Sequence, residues 1–415
     1  MDLPEEFASR FGRSRGLPWL AAASGRINLL GEHTDYSEGL ALPAATNRRI
    51  RGAFQPISPD DSEAGRIILH SRQFLRPVDF AINAIPDLQT EDWGRYVASA
   101  VKALRGEAER SGRALVGMRG VIDSDIPTGS GLSSSAALEL LILNTLQTFS
   151  GLGLSLTRLA ELARDAEWDF GVKSGMLDPL AIVNGHAGEV SLLDTRTLKS
   201  TPIHVDLRGN RFLIGFTRAR TLMGSEYNTR RMEVEAAAAA FRAITGDETL
   251  RTLRDVTPAL FEAHHAELQD PRYNPRALPL EKRARHVVSE NARVLEAVRA
   301  LSGGDVETFK ALMGQTHASL RDDFEVSSPE LNAMVEAGHA YGTKAHISVG
   351  ARMMGGGFGG PVLFLVPDAD VVAFEAFVSA RYLAQTGSPG QFWEVSPEQG
   401  LELIPPSGWH IPAAR

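Results

Sequence analysis

The sequence predicts an α+β protein built as two lobes. Its 415 residues suffice for two or three domains of about 100–200 residues each. Strand-like and helix-like stretches are mixed up to about residue 205, and long helical patterns rich in charge follow beyond it. We therefore predict an N-terminal domain of residues 1–205 and a C-terminal domain of residues 206–415.

The N-terminal half carries its elements in a mixed order. Residues 97–109 have apolar positions at helical spacing, residues 136–149 are apolar on nearly every face, and residues 157–169 are amphipathic. These patterns predict three helices, the second of them buried. Strands are predicted for INLL within the first polar motif and at residues 117–126 and 188–193.

The C-terminal half is mostly helical. Residues 232–244 include five consecutive alanines and have a high helix propensity. Helical patterns continue at residues 281–301, 305–320 and 369–383, and strands are predicted at residues 212–216 and 361–366.

Composition excludes several functional classes. The chain has no cysteine, which rules out disulfide scaffolds, cysteine zinc sites, iron–sulfur clusters and thiol nucleophiles. Its 43 Lys and Arg against 51 Asp and Glu give a net charge of −8, which argues against a nucleic-acid surface. No apolar run approaches the roughly 18–20 residues that cross a bilayer, and the acidic start is unlike a signal peptide. We expect a cytoplasmic protein that binds neither nucleic acid nor membranes.

The first polar motif is GRINLLGEHTDYSEGLALP at residues 25–43. Arg26, Glu32, His33 and Asp35 concentrate charge and hydrogen-bonding groups within ten residues. The loop GEHTDY follows the predicted strand INLL, and strand ends commonly carry binding residues. Because carboxylates accept hydrogen bonds from hydroxyls, this composition suits a polyhydroxylated substrate. An ordinary polar surface turn is an equally good interpretation of the motif alone.

The second motif is PTGSGLSSSAA at residues 127–137, between a predicted strand and a predicted helix. Gly129 and Gly131 allow a tight turn and a close approach to a ligand. The three serines at 133–135 lie at the helix start, where N–H groups are unsatisfied and the helix dipole is positive. Such a loop binds phosphate, although it lacks the Gly-Lys-Ser/Thr of a Walker A loop. A single serine would suffice as a helix cap, so the run of three favours anion binding.

The third motif is GARMMGGGFGG at residues 350–360, in which six of eleven residues are glycine. Gly355, Gly357 and Gly360 formally satisfy the dinucleotide fingerprint G-x-G-x-x-G. That fingerprint must open a helix, whereas the strand-like PVLFLV follows here, so we reject it. A glycine loop over a ligand and a structural tight turn both remain open.

Two acids and two aromatic residues complete the candidates. Glu167 and Asp178 lie eleven residues apart in AEWDFGVKSGMLDPLA. Isolated acids are usually solvated, but the apolar neighbours of Asp178, Phe170 among them, make Asp178 the less ordinary of the two. Trp93 and Tyr96 are candidates for an adenine contact, with a core role equally compatible.

The three motifs, in this order and at these separations, resemble the GHMP family of small-molecule kinases. GRINLLGEHTDYSEGLALP resembles the galactokinase signature, and GSEYNTRR at residues 224–231 is typical of the same branch. The resemblance runs from about residue 25 to residue 366. It implies a two-lobed GHMP kinase fold with the active site in the cleft. The N-terminal mixed-sheet domain would resemble domain 2 of ribosomal protein S5, and the C-terminal domain would be ferredoxin-like.

The resemblance also implies an activity and a role for each candidate residue. A galactokinase transfers the γ-phosphoryl group of ATP to the anomeric hydroxyl of galactose with Mg²⁺ bound. By position, Asp178 matches the catalytic base and Arg26 the cation that stabilises the transition state, while Ser135 and Glu167 match the magnesium ligands. The remaining matches are the sugar-binding Glu32, His33, Thr34, Asp35, Gly175 and Tyr227, the ATP-binding Gly129, Ser130, Gly131, Leu132, Ser133, Ser134 and Ser135, and the closing glycines Gly355, Gly356 and Gly357.

The chain departs from the family next to the expected base. Ser174 to Pro179 read SGMLDP where the family generally has Cys-Gly-Ile-Met-Asp-Gln, and the stretch between Phe170 and Gly175 is one residue shorter. A related kinase of another sugar (an N-acetylhexosamine, an arabinose or a uronic acid) is therefore an alternative. A catalytically silent sugar sensor is a second alternative, although the phosphate loop and both acids are present. We expect a monomer, with a homodimer as the alternative.

Overall fold

The computed structural model describes residues 2–12, 16–87, 92–127, 129–169, 171, 173–219 and 224–406. The strands are β1 Trp19–Asn28, β2 Leu40–Ala41, β3 Pro43–Ile57, β4 Arg66–Ser71, β5 Val78–Ala81, β6 Gly117–Ser124, β7 Glu189–Asp194, β8 Lys199–His204, β9 Asn210–Phe216, β10 Gly350–Met353, β11 Pro361–Pro367, β12 Gln391–Val395 and β13 Leu401–Ile404. The helices are α1 Leu3–Phe11, α2 Gly94–Arg110, α3 Ser134–Phe149, α4 Leu156–Trp168, α5 Leu177–Val183, α6 Gly224–Thr245, α7 Pro258–His264, α8 Leu280–Ser302, α9 Val306–Asp322, α10 Pro329–Ala345 and α11 Val371–Thr386.

A six-stranded sheet in the order β13-β1-β3-β6-β4-β5 forms the first lobe. The pairing of β4 with β6 is parallel and the other pairings are antiparallel, which confirms the expected mixed sheet. Helix α3 packs against β1 and contacts both α2 and α4, which also contact each other. Because α3 is covered by sheet and helices, it can be apolar on nearly every face, as its sequence indicated.

The second lobe has a four-stranded antiparallel sheet in the order β10-β11-β9-β12. Along the chain these strands come as β9, β10, β11 and β12, with helices after β9 and between β11 and β12. The first of them therefore lies between the third and the fourth, and the second is at an edge. This is the ferredoxin-like arrangement that the resemblance implied. Helices α6 to α10 are inserted between β9 and β10.

The predicted boundary at residue 205 falls between β8 and β9, but the chain does not divide there completely. Strand β13 pairs with β1 of the first sheet, with Leu403 opposite Ala21. The prediction that residues 206–415 form one domain is wrong for this last strand. A pairing between opposite ends of the chain leaves no local pattern in the sequence from which it could be predicted.

Strand β1 is longer than the predicted INLL and ends earlier, at Asn28. Leu29 and Leu30 follow it as fully buried residues of the loop. Among the described residues, no helix combines the length and apolar character needed to span a membrane.

Candidate active site

A cavity of about 550 Å³ brings the predicted motifs together. Its lining comes from the loop after β1, the loop between β6 and α3, the start of α5, the start of α6 and the glycine loop between β10 and β11. The predicted site residues on its wall are Arg26, Glu32, His33, Asp35, Gly129, Gly131, Ser133, Ser134, Ser135, Glu167, Gly175, Asp178, Tyr227, Gly355, Gly356 and Gly357. The cavity therefore combines residues of both lobes.

Arg26 and Asp178 form a bidentate ion pair on this wall. Arg26 Nε donates to Asp178 Oδ1 at 2.7 Å, and Nη2 donates to Oδ2 at 2.9 Å. Arg26 Nη1 donates to the carbonyl of Gly131 at 2.6 Å. The guanidinium is buried at 6% exposure and joins the acid to the glycine-serine loop. A planar guanidinium matches a carboxylate in this way and lysine does not.

Two of the three serines at the start of α3 point their hydroxyls at the two acids. Ser133 is the N-cap residue, but no side-chain cap bond forms, and its Oγ donates to Asp178 Oδ2. Ser135 Oγ donates to Glu167 Oε1 at 2.8 Å. The interpretation of the three serines as helix caps is therefore wrong for Ser133. Ser134, also on the cavity wall, lies at the first position of the helix, where N–H groups remain available to an anion.

Glu167 is held by hydrogen bonds at both carboxylate oxygens. Ser174 Oγ donates to Glu167 Oε2 at 2.8 Å, opposite the bond from Ser135. Burial and the nearby Asp178 carboxylate raise the pKa of Glu167 above its ordinary value. Ser174, which stands where the family has cysteine, is thus a hydrogen-bond partner of a predicted metal ligand.

Asp35 lies close against the backbone of the segment that carries Asp178. Its Oδ2 faces Leu177 N at 3.4 Å, and a Cβ on Gly175 would overlap Asp35 Oδ2. Residue 175 must therefore be glycine for Asp35 to reach this position. Burial, together with the charge of Asp178, raises the pKa of Asp35 to about 6.

An aromatic group surrounds His33 on the same side of the cavity. Its Nδ1 lies 3.0 Å from the hydroxyl of Tyr36, and its ring packs against Tyr227 and Phe324. Burial lowers the pKa of His33 to about 3, so the imidazole is neutral at ordinary pH. Burial also raises the pKa of Tyr227 above its ordinary value. These uncharged rings suit the apolar faces of a sugar ring and its hydroxyls.

Three predicted binding residues do not line the cavity. Thr34 is fully buried, and its Oγ1 faces the carbonyls of Leu40 at 2.8 Å and Gly31 at 3.0 Å. Its hydroxyl closes the loop on itself, so the prediction of Thr34 as a sugar contact is wrong. Ser130 and Leu132 are buried at 1% exposure, with Leu132 in the hydrophobic core. Their side chains do not line the cavity, so a contact of these two residues with ATP would have to come from the backbone of the loop.

The sequence analysis missed most of an apolar part of the cavity. Phe74 stacks on Trp93 with ring centres 5.8 Å apart, and Trp93 donates to the carbonyl of Arg76. The apolar lining consists of Ile50, Phe74, Trp93, Tyr96, Ile122, Ile126 and Leu138. Only Trp93 and Tyr96 were candidates from sequence, because the others come from separate strands, loops and helix α3 and share no motif.

Helix α5 accommodates the departure from the family beside Asp178. It starts at Leu177, so Asp178 and Pro179 are its second and third residues. A proline in the first turn loses no helical hydrogen bond, because N–H groups there have no partner within the helix. Pro179 therefore does not disturb the backbone at the acid. Phe170 and Val172 of the shortened stretch lie outside the described residues.

The side chains of Ser135 and Glu167 offer oxygen ligands that fit a magnesium ion. The described residues contain no group of three or more His, Asp or Glu side chains that could hold a metal. Mg²⁺ usually takes one or two oxygen ligands from protein and the rest from phosphates and water. One hydroxyl and one carboxylate oxygen, 2.8 Å apart on the cavity wall, meet that requirement.

Comparison with known families and proteins gives consistent matches along the chain. The family model described as the galactokinase galactose-binding signature matches residues 5–56. Models of the GHMP kinases N terminal domain and GHMP kinases C terminal match residues 95–186 and 294–384.

Similar proteins cover nearly the whole chain. It is 37% identical to a galactokinase of Glaesserella parasuis serovar 5, over 92% of this chain and 94% of that protein. It is 36% identical to a galactokinase of Actinobacillus pleuropneumoniae serotype 3, over 96% and 98%. The structure of Lactococcus lactis galactokinase complexed with galactose matches with a TM-score of 0.85 and 33% identity, over 96% and 98%. Methanococcus jannaschii mevalonate kinase shares the fold, with a TM-score of 0.61, 17% identity and coverage of 92% and 99%.

Proposed function

The chain belongs to the galactokinase family of GHMP kinases, and from this membership we propose how its residues transfer the γ-phosphoryl group of ATP to the anomeric hydroxyl of galactose. The arrangement that carries the proposal is Asp178, held by Arg26 and Ser133 at the point where two loops meet. One is the segment of residues 29–40 after β1, here called the sugar loop, and the other is the loop between β6 and α3, here called the phosphate loop. The geometry supports one acid beside the sugar and a second acid beside the phosphates.

Asp178 is proposed to accept the proton of the sugar hydroxyl. A hydroxyl is a poor nucleophile at neutral pH, so a carboxylate within hydrogen-bond reach promotes its attack on the γ-phosphorus. Asp178 Oδ2 already accepts from Arg26 and Ser133, whereas Oδ1 accepts from Arg26 alone among the described residues. Oδ1 therefore keeps acceptor capacity for the substrate hydroxyl. Arg26 places a permanent positive charge beside the developing alkoxide.

The phosphates of ATP are proposed to bind at the start of α3, with the adenine on the apolar wall. N–H groups at a helix start attract phosphate, and the glycines at 129 and 131 bring the backbone close to it. Trp93, Phe74 and Leu138 offer flat and apolar surface for a purine. Leu138 follows the serines by about one helical turn, so base and phosphates can bind side by side.

Ser135 and Glu167 are proposed to hold Mg²⁺ together with the ATP phosphates. When bound, the ion would neutralise charge on the phosphoryl group during transfer. The protein's part is to orient the two ligands, and the bond from Ser174 to Glu167 Oε2 leaves Oε1 directed at Ser135.

Galactose is proposed to bind between the sugar loop and Tyr227. Glu32 and Asp35 would accept hydrogen bonds from sugar hydroxyls, and His33 and Tyr227 would contribute a neutral polar group and an aromatic face. Cytoplasmic location and a monomeric or homodimeric state stay predictions.

The test of the proposal is the variant Asp178→Asn. The asparagine keeps the shape of the acid but cannot accept the proton, so we expect kcat to fall by roughly 10²- to 10⁴-fold. The assay is ADP release with galactose and ATP. Turnover close to that of the unmodified enzyme, in a variant with the same thermal midpoint, would contradict the role of Asp178.

Asp123→Asn is a matched control, because Asp123 is paired with an arginine on the outside of the same lobe and does not line the cavity. A panel of hexoses and pentoses in the same assay tests the sugar. Another sugar with a higher kcat/KM than galactose would overturn the substrate assignment.

A further inference from the structure

Arg352 is a fully buried arginine that does not line the cavity and has no role in the proposed chemistry. It lies on β10 of the second lobe, immediately before the glycine loop, at 0% exposure. Its Nη1 donates to the carbonyls of Asn28 at 2.8 Å and Leu29 at 2.7 Å. Asn28 is the last residue of β1, so the guanidinium is fixed to the end of the strand that leads into the sugar loop.

The same guanidinium faces Glu32, a residue of the proposed sugar site. Arg352 Nη2 lies 2.8 Å from Glu32 Oε1, and the N–H of Gly355 donates to that same oxygen at 2.8 Å. Oε1 is therefore occupied by two positively polarised partners from the second lobe. No described residue donates a hydrogen bond to the other carboxylate oxygen, Oε2, which is therefore left to accept one from a ligand in the cavity.

The backbone carbonyl of Glu32 is also hydrogen-bonded, by a residue of helix α8. His286 Nε2 donates to the Glu32 carbonyl at 3.0 Å, and Ser319 Oγ lies 2.9 Å from His286 Nδ1. With the carbonyl held by His286 and the carboxylate by Arg352, Glu32 has little freedom to change rotamer. A charged acceptor in a fixed orientation discriminates strongly between a hydroxyl and its absence, because an unpaired buried carboxylate is unfavourable.

We propose that Arg352 is a positioning residue that fixes Glu32 as the acceptor for one sugar hydroxyl and thereby sets selectivity at that carbon of the sugar. This inference rests on the proposed sugar site. The guanidinium acts through Glu32 and does not itself touch the substrate. Because Gly355 belongs to the glycine loop and Arg352 lies on β10 just before it, this arrangement also links the position of the glycine loop to the sugar.

The experiment compares galactose with its monodeoxy analogues in the full-length enzyme. In Glu32→Ala, the analogue that is no longer discriminated against identifies the carbon whose hydroxyl Glu32 accepts. We expect Arg352→Met to lose discrimination at that same carbon and to raise KM for galactose by about tenfold or more, with KM for ATP within about twofold. The double variant should have the selectivity of Glu32→Ala alone, because both changes remove one interaction.

Arg119→Met is the matched control, since Arg119 is equally buried and paired with Asp61 and Glu63, and it does not line the cavity. Its sugar selectivity should equal that of the unmodified enzyme. If Arg352→Met does not fold, Arg352→Lys serves instead. It keeps the charge but cannot contact both carbonyls and Glu32 at once, so it should show partial loss at the same carbon.

Unchanged discrimination at that carbon, or an equal loss for every sugar, would overturn the proposal. Calorimetric titration of the sugars in the absence of ATP measures the same selectivity without turnover. It therefore distinguishes the two failures, because an enzyme that does not phosphorylate galactose contradicts the proposed function, whereas unaltered binding selectivity in Arg352→Met contradicts the role of Arg352.

Discussion

At the scale of single residues, the site contains acids whose pKa values are raised because burial disfavours their charged form. Asp35 and Glu167 both have raised pKa values, and burial and the charge of Asp178 contribute to each. Arg26 is the cation paired with Asp178. Among the described residues that line the cavity, Arg26 is the one arginine or lysine beside four acids, Glu32, Asp35, Glu167 and Asp178. The fold holds this arrangement at a cost in stability that binding of a cationic or polar ligand would relieve.

We expect Asp35, a proposed sugar contact, to make galactose binding dependent on pH. Its pKa of about 6 means that the carboxylate becomes protonated as the pH falls through that value, so we expect kcat/KM for galactose to fall there too. Asp35→Asn should lower kcat/KM at neutral pH by roughly 10- to 100-fold, the loss of a bond to a charged acceptor, and remove this pH limb.

The stability of the same variant should change in the opposite direction. Because the folded-state pKa is raised, ionised Asp35 destabilises the protein increasingly above its ordinary value of 3.8. Asp35→Asn should therefore be more stable than the unmodified protein at neutral pH by roughly 1–2 kcal/mol in urea unfolding. If kcat/KM of Asp35→Asn still falls as the pH drops through about 6, a group other than Asp35 titrates there.

Glu139 is a buried acid of α3 for which stability, rather than activity, is the informative measurement. It is fully buried, and neither carboxylate oxygen has a hydrogen-bond partner in the described part of the chain. Burial and the nearby Glu167 raise its pKa well above 4.5. We expect Glu139→Gln to be more stable at neutral pH by roughly 1–3 kcal/mol.

The gain in stability of Glu139→Gln should increase as the pH rises. Ionisation destabilises the unmodified protein as the pH rises above 4.5, so the difference should grow with pH and disappear below that value. Urea unfolding at a series of pH values measures it. If Glu139→Gln is instead less stable at neutral pH, the carboxyl group of Glu139 has a partner whose stabilising contribution exceeds the free-energy cost of its burial.

At the scale of elements, the loop between β6 and α3 depends on one glycine that also contacts the second lobe. Gly131 has φ +73°, and a Cβ there would lie 2.6 Å from Pro361 Cδ at the start of β11. We expect Gly131→Ala to lose roughly 1–3 kcal/mol of stability and to reduce kcat, because its carbonyl also accepts from Arg26.

Gly209→Ala distinguishes the cost of backbone strain at positive φ from the cost of the steric clash with Pro361. Gly209 has nearly the same φ, +72°, but no atom of the residues that the structure describes lies within 4 Å of an added Cβ. It should show the cost of the backbone strain alone and leave kcat unchanged. Equal losses of stability and activity in the two variants would mean that the contact with Pro361 does not matter.

The elements that could be predicted from sequence are those with a local pattern. The serines at 133–135 begin a helix, and the glycine segment joins two antiparallel strands, as the following PVLFLV indicated. Thr34 was misassigned because its spacing within EHTDY shows nothing of its bonds to Gly31 and Leu40. Arg352 and most of the apolar wall, Trp93 and Tyr96 excepted, were missed because their contacts join segments distant in sequence.

At the scale of the whole molecule, helix α8 attaches the second lobe to the sugar loop of the first. His286, Glu290 and Asn291 lie on adjacent turns of α8 and hold the loop at Glu32, Gly31 and Leu40. Each of these bonds goes to a backbone group of the loop. The loop's conformation thus depends on how the lobes pack, and a local change at α8 should reach the sugar without touching it.

Glu290→Gln tests this dependence. Glu290 is fully buried and accepts from Gly31 N at 2.8 Å and from Arg293 Nε at 2.7 Å. Burial alone would raise its pKa, but Arg293 and other nearby cations hold the pKa below 4.5. The bonded carboxylate therefore contributes stability above 4.5 that is lost as the pH falls through the folded-state pKa.

We accordingly expect Glu290→Gln to be less stable at neutral pH by roughly 1–3 kcal/mol, with the difference shrinking at acid pH, and to have a raised KM for galactose. Glu233→Gln is the comparison, since Glu233 is also buried and bonded to an arginine, Arg283, but lies on α6 and does not hold the sugar loop. It should lose stability while keeping KM. If both variants lose stability and neither changes KM for galactose, α8 supports the fold without positioning the sugar. If only Glu290→Gln changes KM, the packing of the two lobes sets the geometry of sugar binding.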